Sequence, residues 1–553
     1  MCQQLITPVL PKRVLDVGSA NNDPHLVISS EATGRYLCLS HRWGSDQEQL
    51  CTTKESLPHF CETIPFGSFP LLFQQAIEVT RALDVQYLWI DSLCILQDDV
   101  EDWERESALM GDIYSNAYAT LFAERATNSN DSLFQTDDDR GNRSHFVQDV
   151  EHKDPATGQT HSILVASKLA TYPSSLEEAF CLVDQSESHL EDRGWVLQEE
   201  VLSRRKICFS HTELHWQCNV LSQCECGMRS VMASNTVSCE HDFVSRLLLF
   251  HRSDGTVTKG LSKSLSSARR RTMDVNRAWQ QLVRAYCLRN LTTEQDRLSA
   301  LAGVASRLGR SSRDYLAGIW RQDVEAQLLW HAKPGSLERP CHRHSFYAPS
   351  WSWAAVTGSI DFQSLGPFSW RSLWSVRDGA CEPSGRNPLG SVSSGWLKVV
   401  GPTVPVKLSL LSKNDSAFTE KNIEAEWKDG LYRYQLTAPG EADCITMRID
   451  ADDNGPITEG LRRESMVITD TAEDWNDIRA SLGIEQRKYL YLIAGLRSQV
   501  NDLTHLGVTL TEGLLLRESR RQPEFWERVC LMKPDGWWRE WEKLTMSRTL
   551  VLI

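Results

Sequence analysis

YLWIDSLCILQDDVEDWERESALMGDIYSNAYATLFA, residues 87–123, holds a strand, a helix and a second strand in one stretch. Its first four residues, YLWI (87–90), are apolar and rich in β-formers, the composition of a buried strand. The strand gives way to polar Asp91 and Ser92. After a loop, Asp99 supplies an N-cap and Asp102 an acidic first turn. From Trp103 the period is helical: Trp103, Ser107, Met110 and Tyr114 share a face, and Glu101, Glu104, Arg105 and Asp112 lie mostly off it. Ser115-Asn116 ends the helix, and ATLFA (119–123) reads as the next strand. Such a unit predicts a parallel sheet with a right-handed crossover. Ligands gather at the carboxyl ends of the strands in these sheets, where Asp91, Ser92, Cys94 and Gln97 fall.

The same alternation extends in both directions. Upstream, after a lead-in over 11–18 and a short strand over 26–29, YLCLS (36–40) is a strand that runs into SHRWG (40–44). A helix then starts near Pro70, with Leu72, Phe73, Ala76, Ile77, Thr80 and Leu83 on one face. Downstream, 127–161 is polar, acidic and turn-rich, and reads as an insertion. Residues 163–166 return as a strand. Residues 195–202 have helical spacing, 206–209 look like a strand, and 214–217 pair with it. The fold class is therefore α/β, with an N-terminal doubly wound, mainly parallel sheet of three to five strands over residues 1–245. Residues 246–357 read as a helical region, with helices over 279–308 and 315–330, ending in the Trp-rich run APSWSWA (348–354). From 358 to 553 the chain shifts to short β-like runs (397–400, 434–437, 444–449, 489–494, 514–516), a β-rich C-terminal domain.

The totals bound the function classes. At 553 residues two or three domains are expected. The formal net charge of −14 argues against broad electrostatic binding to nucleic acid; SLSSARRR (264–271) is the one tight basic cluster. No apolar run approaches the ~20 residues of a membrane span, and no secretory signal is evident. Sixteen cysteines without a C-x-x-C pair suggest reduced thiols, and a cytoplasmic protein.

Three blocks resemble one family: RYLCLSHRWG (35–44), YLWIDSLCILQDDVEDWERESALMGDIYSNA (87–117) and RGWVLQEEVLS (193–203). Together they look like the fungal heterokaryon incompatibility (HET) domain. LTTEQDRLSALAGVA (291–305), YLAGIW (315–320) and APSWSWA (348–354) resemble the usual continuation of large HET-domain proteins. His41-Arg42 departs from the pattern, since the family more often shows an aromatic or His followed by a small or aliphatic residue. The resemblance implies a role in non-self recognition and incompatibility cell death. A more distant similarity links YLCLSHRW (36–43) and the W-x-x-x-E of WVLQE (195–199) to TIR domains. It implies a flavodoxin- or TIR-like topology and, carried over from TIR-type NAD hydrolases, a catalytic Glu199.

The candidate chemistry follows from these positions. Glu199, beside Trp195, would stabilise an oxocarbenium-like ribose, or else pairs with Arg193 or Arg204; neighbouring Glu200 reads as solvated. Ser40, His41, Arg42 and Trp43 follow a strand end and are suited to phosphate or ribose, with Trp43 stacking on a base or packing in the core and His41 titrating near neutrality. Asp91 holds a ribose hydroxyl or orients His41. Cys94 with His41 and Asp91 has the composition of a thiol triad, against the commoner role of a packing cysteine. Arg193 grips a phosphate or forms an ion pair. Ser92, Gln97, Trp195 and Gln198 complete the substrate-binding set. Cys208, Cys218, Cys224, Cys226, Cys239 and His241 lack paired zinc spacing, so no metal is expected; no cofactor is expected either, and NAD enters as a substrate. Three readings stand: a death effector that hydrolyses NAD or a related nucleotide at Glu199, a secondary-metabolism enzyme using His41, Asp91 and Cys94, and a non-catalytic interaction module. A protein partner or self-association is expected, and neither nucleic acid nor a membrane span.

Overall fold

The computed structural model describes residues 7–553 apart from 20, 45–49, 135–144, 154–158, 169–187, 212–213, 219–220, 226–229, 233–267, 309–310, 333–347, 357, 363–369, 412–431, 438–445, 453–454, 457–465, 470–487, 501–506, 520–521 and 534–544. It divides into two compact units. One comprises Met1–Leu282, Arg289–Thr292 and Ser299–Gly309; the other comprises Val283–Leu288, Thr293–Leu298 and Arg310–Ile553. The expected borders near 245 and 357 fall on residues outside the described set.

The first unit is built on one mixed sheet. Its strands are β1 (Arg13–Asp16), β2 (His25–Ile28), β3 (Tyr36–Ser40), β4 (Tyr87–Ile90) and β5 (Ala119–Phe122). A separate antiparallel hairpin follows: β6 (His145–Lys153) lies in the turn-rich segment expected to be an insertion, and β7 (Thr160–Lys168) begins at its end and covers the strand expected over 163–166. The sheet resumes with β8 (Arg205–Phe209), β9 (Leu214–Cys218), β10 (Leu221–Cys224) and β11 (Ser230–Met232). The order is β11-β10-β9-β8-β5-β3-β4-β1-β2. Its heart, β8-β5-β3-β4, is parallel throughout, and an antiparallel ribbon extends it on each side. Nine strands thus replace the three to five expected, because β1, β2 and the β9–β11 meander add to the parallel core. Every residue of β3 and β5 is buried, as expected where helices cover both faces of a parallel sheet.

The helices of this unit are α1 (Leu57–Glu62), α2 (Leu71–Ala82), α3 (Asp91–Cys94), α4 (Val100–Asn116), α5 (Gly194–Leu202), α6 (Ala268–Cys287, whose last turn belongs to the second unit) and α7 (Ser299–Arg307). Asp99 caps α4 as its sequence predicts, accepting from the Glu101 and Asp102 amides. The buried face of α4 is shifted from the expected one: Asp102 and Glu106 join Met110, Ile113 and Tyr114 inside. Asp102 is accommodated by Arg13 and Lys12 of the β1 region, Lys12 lying at 2.7 Å, and by the Leu96 amide at 3.1 Å. Burial alone would raise its carboxyl, but these partners hold it below the ordinary value. This cluster, with Arg13 Nε also donating to the Cys94 carbonyl at 2.7 Å, ties β1, α3 and α4 together.

The second unit is β-rich. Its strands Val392–Leu411, Tyr489–Val500, Gly507–Glu518, Trp526–Lys533 and Met546–Leu552 pair in a ring, closing a five-stranded barrel. The helix expected over 315–330 is instead a tight hairpin of β12 (Tyr315–Leu316) and β13 (Ile319–Trp320), followed by one short helical turn, Val324–Gln327. Its two central residues, Ala317 and Gly318, have φ of +43° and +92°. Positive φ at both positions is the requirement of a primed hairpin turn, and it breaks the helical period. The Trp-rich run is a packing corner: Trp351 and Trp353 are wholly buried, and Trp330 Nε1 donates to the Trp351 carbonyl at 2.9 Å. Among the described residues, no helix is long and apolar enough to cross a membrane.

Candidate functional site

The parallel strands run β3 to β4 on one side and β3 to β5 on the other, so the chain reverses its winding at β3. Residues just past β3 therefore stand at the switch point, where sheets of this kind place their ligands, and those just past β4 flank it. Ser40 ends β3 and His41 follows, both buried. Asp91 follows β4 at the start of α3, with a fifth of its side chain exposed. Its carboxylate accepts from Trp43 Nε1 at 2.7 Å and from the Ser92 amide at 2.8 Å. His41 Nδ1 lies 3.7 Å from the same carboxylate. The imidazole packs edge-on against Phe73 of α2, ring centroids 5.0 Å apart.

Helix α5 closes the cluster from a distant part of the chain. Arg193, 152 residues from His41, occupies its N-cap position without capping, and its guanidinium donates to the His41 carbonyl instead. Nearly two turns further on, Glu199 is buried. Burial pushes its carboxyl up to about 7; the Ser40 hydroxyl opposes this, the Asp91 charge adds to it, and Arg193 and the Tyr114 hydroxyl pull it back. Burial drives His41 the other way, down to about 4, against the attraction of Asp91 and with the repulsion of Arg193. Near neutral pH the cluster thus pairs a neutral imidazole with a carboxyl poised to ionise. Two groups pushed apart in this manner can divide acid–base and charge-stabilising roles.

Residues 36–199 match the family model of the heterokaryon incompatibility protein (HET). The chain carries a heterokaryon incompatibility domain. Its matched span opens at the first residue of β3 and closes on Glu199, so it contains His41, Asp91, Arg193 and Glu199. The HET domain makes this a heterokaryon incompatibility-type protein, a fungal class. No curated protein and no solved structure matches the chain.

Other expected site residues are placed differently within the HET domain. Cys94 is fully buried on α3, and burial pushes its thiol up to about 12, where it is a neutral packing group. Gln198 Oε1 accepts the Gly303 amide of α7 at 2.7 Å, an anchor between helices. Gln97 folds back on the Asp91 and Ile95 carbonyls, at 3.2 and 3.0 Å. Ser92 is buried, and its carbonyl accepts the Thr52 amide. Trp195 meets Trp103 of α4 edge-on at 6.4 Å. Arg42 is exposed and Trp43 half-buried, so with Asp91 they form the accessible side of the cluster. Glu200, expected in solvent, pairs with Arg289 at 3.1 Å and Lys206 at 3.8 Å.

Tyr114 was not among the expected site residues, although its place on the α4 face was. A buried phenol needs a polar partner, and that need was the signal available. Cys208 is buried in β8 and Cys218 and Cys224 end β9 and β10, while Cys226, Cys239 and His241 lie outside the described residues. Among the described residues, no group of three or more His, Cys, Asp or Glu is arranged to hold a metal ion.

Proposed function

We propose that the HET domain cleaves the N-glycosidic bond of NAD or a related nucleotide at the cluster of Glu199, His41 and Asp91, and that incompatibility cell death follows from loss of that nucleotide in the cytoplasm. The observation that carries this reading is the convergence of Glu199 with His41 and Asp91 at the winding reversal of the sheet, with opposed shifts on the carboxyl and the imidazole. The position of β3 between β4 and β5 in the parallel heart of the sheet supports the flavodoxin- or TIR-like topology on which this reading draws.

The chemistry asks little of the protein beyond electrostatics. The bond from the ribose carbon to the pyridinium nitrogen breaks, and its electron pair leaves with neutral nicotinamide, so no acid is required. Ionised Glu199 stabilises the oxocarbenium-like ribose. Water adds to that carbon, and neutral His41, oriented by Asp91, takes its proton. Trp43 and Arg42, on the accessible side, are suited to the base and the phosphates. The thiol-based metabolic reading loses support from the neutral, deeply packed Cys94.

The test is nicotinamide release from NAD by the full-length protein, beside Glu199→Ala and His41→Ala variants whose folding is checked by circular dichroism. Release that collapses in Glu199→Ala supports the proposal. Release that survives it, or no turnover by full-length protein across a wide concentration range, sinks it in favour of the non-catalytic module.

A further inference from the structure

The second unit contains a cavity of about 340 Å³ between the β12–β13 hairpin and the paired strands Ser375–Pro383 and Val392–Leu411. That volume is at the small end of the range for ligand sites. The wall is apolar, formed in part by Tyr315, Pro383, Pro388 and Cys381. Its charged groups among the described residues are Arg313 and Arg321, and no acidic residue lines it. In a chain of net charge −14 two arginines line this cavity; Asp378 faces Arg321 from outside the lining, and Arg313 adds a second positive charge, so the lining favours an anion.

The site is also stiff. Arg321 Nη2 donates to the Gly379 carbonyl at 2.5 Å, and Nη1 lies 3.9 Å from the exposed Asp378, so the guanidinium is held at the wall. Cys381, neutral because burial pushes its thiol up to about 12, contributes only apolar surface. The hairpin turn on the other wall holds Ala317 at φ +43°, a strained value for a residue with a side chain. Two bonds maintain it: Ser352 Oγ donates to the Ala317 carbonyl at 2.6 Å, and Trp353 Nε1 to the Gly318 carbonyl at 2.9 Å. Strain kept in place by its surroundings, on the wall of a cavity, is a recurrent mark of ligand sites.

We propose that this cavity binds a small, flat, apolar carboxylate, its body against Tyr315 and the two prolines and its charge on Arg321, with Arg313 at the mouth. The inference is independent of the chemistry of the HET domain and gives the second unit a sensing role of its own.

The experiment is a fluorine NMR titration of the full-length protein with para-fluorobenzoate, with para-fluorobenzamide as the uncharged control. Saturable binding of the benzoate is expected, and the loss of one charge-assisted contact weakens it about tenfold for the amide. Arg313→Glu, at an exposed position that leaves packing intact, weakens the benzoate by a similar factor, and so does Arg321→Ala. The proposal is overturned by no saturable benzoate binding, by equal binding of benzoate and benzamide, or by benzoate binding that both arginine variants leave unchanged.

Discussion

Replacing Glu199 by glutamine should stabilise the HET domain, and by an amount that grows with pH. The folded carboxyl titrates at about 7 against an ordinary 4.5. With each pKa unit worth about 1.4 kcal/mol, holding Glu199 ionised in the fold costs on the order of 3 kcal/mol. The sign follows from the direction of the shift. A carboxyl raised by folding adds stability that is complete below about 4.5 and is lost as pH rises through about 7. Glutamine keeps the shape and bears no charge at any pH. The wild type should therefore nearly match the variant at pH 4.5 and fall roughly 2–3 kcal/mol behind it between pH 5 and 8.5. His41, lowered to about 4, destabilises both proteins alike at acid pH and cancels in the difference. Because the chain has two units, a single global unfolding free energy is not the right observable. Hydrogen–deuterium exchange, read by mass spectrometry on peptides from β3 and α5, gives the local opening free energy instead. Wild type and variant are compared at the same pH, so intrinsic exchange rates drop out. A difference that stays flat from pH 5 to 8.5 would refute the assignment of a raised pKa to Glu199, and with it the charge balance of the proposed site.

Four further outcomes are expected. If NAD is the substrate, kcat/KM should rise with pH through about 7, as Glu199 ionises while His41, lowered to about 4, stays neutral; Tyr114→Phe removes a hydroxyl that favours the charged form and should move that limb to higher pH, and a limb that stays in place contradicts this role. Asp102→Ala leaves Arg13 buried without its carboxylate and should cost roughly 3–5 kcal/mol, measured as urea unfolding of the first unit. Gly303→Ala would set a methyl 2.4 Å from Gln198 Oε1 and 2.8 Å from the Gly111 Cα, forcing α4, α5 and α7 apart at a cost of roughly 1–3 kcal/mol, visible as a lower melting temperature. Cys94→Ala should leave kcat unchanged, since the thiol is neutral up to about pH 12; a collapse of activity with the fold intact would restore the thiol reading.

The local grammar of the first unit was legible in the sequence because it rests on short-range rules. A continuous apolar run makes a buried strand, a capping aspartate starts α4, and Ser115-Asn116 stops it. Those rules placed β3, β4, β5, β8 and β9 within a residue or two, and they put Ser40, His41 and Asp91 at strand ends. They failed at residues 315–330, where two positive-φ residues held by Ser352 and Trp353 make a hairpin. They failed too on α4, where the apolar pattern gave no hint that Asp102 and Glu106 face inward, since the arginine that admits Asp102 lies on β1.

What the sequence by itself determined was the kind of elements, their order, and which polar residues stand where strands end. Which of those residues meet was decided by the tertiary structure. Arg193 reaches the carbonyl of His41 across 152 residues, and Glu199 acquires its raised pKa only because packing removes water from it and sets Asp91 nearby. Periodicity records how one segment contacts its surroundings on average. Desolvation and charge coupling depend on which distant segment supplies those surroundings, so they exist only once the chain has folded.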